Sequence, residues 1–481
     1  MSEVIKEPRN GCALHGALQT VQEIKGVVPV IHANAGCGVI HYLANKGTSG
    51  GNSSYSGLSI PGTAIQERHV IFGGASRLRE QIKNTIKVVK GDLYVILNSC
   101  ESAMVGDDVD AMTREIVEQG EPVLDTLVAG FNGGPYYGYE HVMADIFRTI
   151  DGVKPSEKKT DPYLVNILGI IPGKDPYWQG NLEEIKRILE GIGLKVNVFF
   201  GPYGGVRDLI NAKNAALTIN FSRWGELPAR ILEEWYEIPI LQRSSLPLGT
   251  EQVLDLATAV AATIHIDEER IKSFFGNEEV YENDLLLRAR EDLIEYDNSQ
   301  TAVLVGDEEQ VIRLGRFLND FLGKEIKAVI LTDALKTDEE HVTDNQELLK
   351  EITDSIYITS DQKKIEDIIR SEKPEVIFGS SLEKRIANRL EIPVVETSYP
   401  VFEKLILNKA DAGIRGTISF MEEYITVVNQ YEAEKRKQLL SYVKGEKGGK
   451  LWQEQSQKRS YSKKLTLVTQ SQTKESLSAR M

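Results

Sequence analysis

Short apolar runs alternate along the chain with stretches whose apolar residues recur at helical spacing, an alternation of strand and helix that predicts parallel α/β layers. Residues 26–32 and 93–97 read as strands, 75–82 opens a helix, and 108–118 carries a helical pattern. The polar stretch 151–161, with Pro155 and Lys154, Lys158 and Lys159, reads as a linker. Beyond it, 164–171 and 195–200 read as strands. Between them Asn181 is expected to cap a helix with apolar Leu182, Ile185, Ile188 and Leu189, and Gly193 to stop it. A third unit repeats the logic: strand 302–307, helix 308–322, strand 327–331, then strands 376–381 and 392–396 around a helix at 381–390. From Glu432 the chain turns polar and lysine-rich, which predicts a frayed helix and a mobile, solvated tail rather than a partner-docking arm.

Length fits this division. A chain of 481 residues should form about two to four domains, and the expected boundaries are 1–155, 156–295, 296–431 and a basic extension 432–481. The formal charge of -15 argues against nucleic acid as a partner, because no sustained basic surface exists to neutralise phosphates. The first residues lack a signal-peptide core, and no run approaches the roughly 18 apolar residues of a membrane span. A cytoplasmic protein with no membrane association is expected.

Chemistry enters with the cysteines. There are three, Cys12, Cys37 and Cys100, each where a strand-like run meets a glycine-rich or polar turn. An odd number without an export signal disfavours disulfides and leaves thiols for metal or catalysis. Zinc or a cubane iron-sulfur cluster needs about four ligands, and no CxxC pair occurs. Either the three are ordinary buried thiols, or their loops converge and a second subunit completes the set.

Context favours convergence. The runs Ala35-Gly36-Cys37-Gly38, Thr63 through Glu67 to Ile71-Phe72-Gly73-Gly74-Ala75, and Ser99-Cys100-Glu101 through Val105-Gly106-Asp107-Asp108 closely resemble the nitrogenase component 1 family. Gly130-Phe131-Asn132-Gly133-Gly134 resembles its next glycine-rich loop, and Gly413-Ile414-Arg415-Gly416 its C-terminal Gly-Tyr-Arg-Gly signature. The likeness spans about residues 10 to 430 and implies three Rossmann-like α/β domains with parallel sheets flanked by helices.

Carried over by position, the resemblance makes Cys12, Cys37 and Cys100 the ligands of one half of a P-cluster, an eight-iron seven-sulfur group whose other half belongs to a partner subunit. It makes Phe72, with Ile71, the docking point of an ATP-dependent iron protein. A buried aromatic at a helix start is the plain alternative for Phe72. The family's catalytic α subunit holds its cofactor through a later cysteine and a C-terminal histidine. Here no cysteine follows Cys100 and the last histidine is His341. The chain therefore resembles the β-type subunit of an α2β2 heterotetramer, relaying electrons to a cofactor in the α-type partner for reduction of dinitrogen or another small molecule. A cofactor-assembly scaffold and a protochlorophyllide-reductase-like subunit, each with a four-iron cluster, are the alternatives. One departure stands out: where the molybdenum enzyme's β subunit carries a Phe-x-Gly-Ser-His loop with a serine ligand, this chain has Gly134. The eleven residues before Cys12 also make a short N-terminus beside the extensions of some β subunits.

Other candidates read more simply. Turns at Gly173 and at Gly201 to Gly205 complete no nucleotide motif. The glycine- and serine-rich stretch 47–57 reads as a surface loop. His15, His32 and His41 are expected as hydrogen-bonding neighbours of the cysteines rather than ligands, and Asp107 and Asp108 as caps of the next helix rather than cation ligands.

Overall fold

The computed structural model describes residues 5–46, 60–296, 300–333 and 345–445; the predicted loop 47–57 and the tail beyond 445 lie outside them. Through Tyr424 the chain forms one compact unit, and from Ile425 a second, described as the later part of the helix Gly413–Gly445. Within the first unit lie three all-parallel sheets, the α/β architecture expected from the alternating pattern. No helix of the described residues is long and apolar enough to cross a membrane.

The first sheet has the order β1 (Val27–His32), β2 (Leu93–Asn98), β3 (Val123–Leu127), in register at Val30↔Ile96 and Val95↔Leu124. The first two strands are buried at every position, hence their continuous apolar runs. The second sheet, β5-β4-β6-β7, is built from β4 (Leu164–Leu168), β5 (Lys195–Asn197), β6 (Leu217–Asn220) and β7 (Ile240–Gln242). The third, β10-β9-β8-β11-β12, comprises β8 (Thr301–Gly306), β9 (Glu325–Leu331), β10 (Ile356–Ile358), β11 (Val376–Gly379) and β12 (Val394–Glu396).

Several predicted elements shift. The strand expected over 164–171 stops at Leu168, because Gly169 takes φ +89° and turns the chain, leaving Ile170 and Ile171 buried in a loop. The one expected over 195–200 pairs only through Asn197, although Val198 to Phe200 stay buried. The expected linker begins late, since the helix Pro135–Val153 runs into it. Asn181 is not a cap. It lies inside the helix Trp178–Gly191, fully buried, where its amide donates to Asp175 Oδ2 and Asp411 Oδ1, both at 2.8 Å, and accepts from Asp411 N. A side chain that can satisfy three buried partners is worth more there than at an exposed helix start.

The helices that position the first sheet's loops are α1 (Ala13–Gln22), α2 (Ala35–Lys46), α3 (Glu67–Phe72), α4 (Ala75–Val88), α5 (Cys100–Val105), α6 (Val109–Glu118) and α7 (Pro135–Val153). Two of them cross with almost no side chain between their backbones. A Cβ on Gly16 of α1 would sit 1.9 Å from Pro135 O, and one on Gly138 of α7 would sit 2.0 Å from Ala13 O. Only glycine fits either place. Upstream of α1, Arg9 reaches into the third sheet's neighbourhood: its buried guanidinium meets Glu383 Oε1 at 2.7 Å and Ser398 Oγ at 3.1 Å, and its Nε donates to Tyr399 O.

Substitution Gly138→Ala should force α1 and α7 apart and destabilise the protein by about 1 to 3 kcal/mol, read as a lowered thermal unfolding temperature. An unchanged unfolding temperature would mean that the crossing is looser than described.

Candidate metal centre

Parallel strands deliver their following loops to one edge, and at the first sheet that edge gathers the chain's thiols. Cys37 follows β1 and lies in the first turn of α2; Cys100 follows β2 and opens α5. The loop after β3 carries Gly130, and Cys12 caps the start of α1. Each cysteine therefore stands at a helix N-terminus, where backbone N–H groups favour a thiolate. All three are half-buried and free of disulfides.

The loops converge. A Cβ placed on Gly130 would lie 3.2 Å from both Cys12 Sγ and Cys100 Sγ, so the absence of a side chain lets the two sulfurs share that space. Gly130 N donates to Cys100 Sγ at 3.0 Å. Ala13 N donates to Gly133 O at 3.0 Å, tying the start of α1 to the same loop. His15 joins the remaining pair: its Nδ1 is 3.6 Å from Cys12 Sγ and its Nε2 is 3.4 Å from Cys37 O. A carbonyl only accepts, so Nε2 carries a proton, and a charged ring can donate through Nδ1 to a Cys12 thiolate.

A second clamp links Cys37 to Cys100. Asn34 Oδ1 accepts from Gly36 N at 2.7 Å and Cys37 N at 3.3 Å, capping α2. Asn34 in turn donates its backbone N–H to Glu101 Oε2 at 3.0 Å and its side-chain amide to Glu101 Oε1. Glu101 adjoins Cys100, so the two cysteine loops hold each other.

Electrostatics distinguish the thiols. Burial opposes ionisation of Cys12, but the hydrogen bond from His15 and its charge outweigh burial and hold this thiol below the ordinary cysteine range. Cys37 is pushed up to about 11, first by burial, then by Glu101, Cys12 and Cys100. The Cys37 thiol thus resists ionising beside its neighbours unless a cationic group offsets the charge. Among the described residues no group of three or more His, Cys, Asp or Glu is arranged to hold a single metal ion; the Cys12 and Cys100 sulfurs border the space over Gly130.

The predicted docking residues end α3, and Phe72 is not buried at a helix start. It is 86% exposed and Ile71 64% exposed, at the C-terminal end of that short helix. The turn after them is fixed by Asp107, which accepts from Gly74 N at 2.6 Å and from His32 Nε2 at 3.0 Å. Burial holds His32 below its ordinary range despite Asp107, so the contact is a hydrogen bond from a neutral ring rather than an ion pair. Asp107 thereby joins the Phe72 turn, the end of β1 and the end of α5. Asp108 caps α6 by accepting from Ala111 N, as expected. His41 is buried against Gln22 at 2.8 Å, its pKa lowered to about 3 chiefly by burial. Gly134 caps α7 ahead of Pro135, with nothing within 4 Å of where a Cβ would stand.

From the sequence, Gly130 stands out only as part of a loop, and neither Asn34 nor Glu101 stands out at all. An Asn three residues before a helical cysteine is a capping signal, but Gly130's amide has no signature in the sequence.

The chain is similar to known proteins along most of its length. The chain is 24% identical to the nitrogenase molybdenum-iron protein beta chain of Methanothermobacter marburgensis, over 89% of this chain and 95% of that one. It is 26% identical to that organism's alpha chain, over 80% and 81%. It is 25% identical to a subunit of the light-independent protochlorophyllide reductase of Chlorobium limicola, over 81% and 72%. A solved structure of nitrogenase Cp1 at pH 6.5 has the same fold, with a TM-score of 0.73 at 20% identity, covering 89% of this chain and 94% of that one. Since the nitrogenase component 1 type oxidoreductase profile matches residues 12–429, the chain belongs to that family of oxidoreductases.

Proposed function

We propose that this chain is the β-type subunit of a nitrogenase-like iron-sulfur reductase. In this reading Cys12, Cys37 and Cys100 hold half of an eight-iron seven-sulfur P-cluster whose remaining ligands come from an α-type partner in an α2β2 assembly. The observation that supports the reading is three half-buried thiols on the loops and helix starts of one sheet edge, two of them bordering the same space over Gly130, too few for a complete site. The donor set fits such a group: sulfur ligands at helix N-termini, an amide donor on Cys100 Sγ, and charge repulsion that iron would relieve.

The surrounding surface supports a partner. Val39, Ile40 and Leu43 on α2, Met104 on α5, Leu127 at the end of β3 and Phe131 in the loop after it are exposed apolar side chains on the elements of this edge. Iron-sulfur chemistry supplies one-electron storage when the group is bound. The chain's own residues fix the sulfur positions through Asn34, Glu101 and His15, and supply the Gly130 N–H that tempers charge on Cys100. Ile71 and Phe72 present an apolar knob to an ATP-dependent iron protein, and Asp107 ties that knob to the cysteine edge. No cysteine follows Cys100 to hold a further cofactor here, so a cluster bound at these thiols would serve one held by the partner. The division into domains 1–155, 156–295 and 296–431 and a cytoplasmic location belong to the same reading.

The likeness to a protochlorophyllide reductase subunit and the absence of an oxygen donor at Gly134 favour a second reading, a four-iron cluster with one ligand from the partner.

Metal analysis of the anoxically purified complex should give about eight irons per interface, with about four supporting the second reading; Cys37→Ala should abolish the cluster's paramagnetic signal, and retained spectra would refute the ligand assignment. Changing Phe72 to Ala should lower iron-protein-dependent turnover about tenfold or more while leaving that signal intact; equal turnover would place docking elsewhere. Gly134→Ser should fold normally, since open space surrounds the position, and should alter the spectrum of the oxidised cluster only, an outcome absent if this loop stays clear of the sulfurs.

A further inference from the structure

Away from the cysteines, a cavity of about 650 Å³ opens where the carboxyl ends of β6 and β7 meet the helices Thr250–Ala261, Glu268–Tyr296 and Glu308–Asp320. The carboxyl end of a parallel sheet, at a seam between α/β units, is where such folds hold small ligands, and the volume suits one. Phe221, Leu286 and Phe317 give it apolar walls.

Its charges are unequal in setting. Arg243 is paired with Asp255. Glu282 is nine-tenths buried, accepts a hydrogen bond from Thr250 Oγ1, and is pushed up by burial. Glu251 and Asp320 are exposed on the rim, where water and salt screen them. Arg316 is half-buried and, with Ser244 and Ser245, has no partner among the described residues. Because Arg316 is less exposed than they are, its charge is screened less by water and salt. We propose that this cavity binds a small organic monoanion with an apolar or aromatic body, its acid group on Arg316 and the two serine hydroxyls, its body against Phe317. The rim acids select against polyanions. This site is independent of the cluster reading.

The probe is 8-anilinonaphthalene-1-sulfonate, titrated by fluorescence into the full-length protein in its native complex, with the neutral dye N-phenyl-1-naphthylamine as the control. Saturable binding should weaken about tenfold in Arg316→Gln, persist in Arg316→Lys, and vanish in Asn283→Trp, where the indole fills the cavity. Thermal unfolding of each variant should match the unsubstituted protein. The neutral dye should be indifferent to Arg316→Gln. No saturable binding, sulfonate binding unmoved by Arg316→Gln and Asn283→Trp, or equal loss of the neutral dye in Arg316→Gln would overturn the proposal.

Discussion

Cys12 can meet Cys100 only because α1 and α7 cross backbone to backbone. The helices are held that close by Gly16 and Gly138, and a methyl group at either would occupy the space of a main-chain oxygen. Everything at the cysteine edge inherits that spacing. Cys12 opens α1, the loop after β3 feeds α7, and Ala13 N bonds to Gly133 O between them. Interiors are packed too densely to absorb such a change smoothly.

Around that contact the chain uses two means of holding sulfur. One is positional: the carboxyl ends of adjacent parallel strands bring Cys37, Cys100 and Gly130 side by side without any neighbouring pair in the sequence. The other is electrostatic, and it pulls in opposite directions at two of the thiols. His15 eases ionisation of Cys12, whereas burial, Glu101 and the other thiols resist it at Cys37. Glu101 raises the charge density beside Cys37, yet its carboxylate also orders Asn34, whose side chain caps the helix carrying that cysteine. Placement of the Cys37 thiol is obtained at some expense in its ionisation.

Much of this was legible from residue order. Long apolar runs such as 93–97 become buried strands because both faces are covered, and the Phe-Gly-Gly and Ser-Cys turns mark the loops of the family. What escaped has physical reasons. The strands β3, β6, β7 and β10 are short, and several carry polar residues such as Asp125, Asn220 and Gln242, so periodicity is weak. Asn181 looked like a cap because caps and buried amides share the same chemistry, and only tertiary partners tell them apart. Gly130 acts through its backbone and through missing bulk, neither of which a residue letter records.

The anchoring of Arg9 carries a mechanical meaning. Three residues before Cys12, its guanidinium is locked to Glu383, and Asn10 donates to Thr332 O, so the chain between the third sheet and the first thiol is short. The loops that follow the third sheet's strands thus moor the segment leading into Cys12, and the first thiol takes its place from a part of the chain that holds neither of the other two.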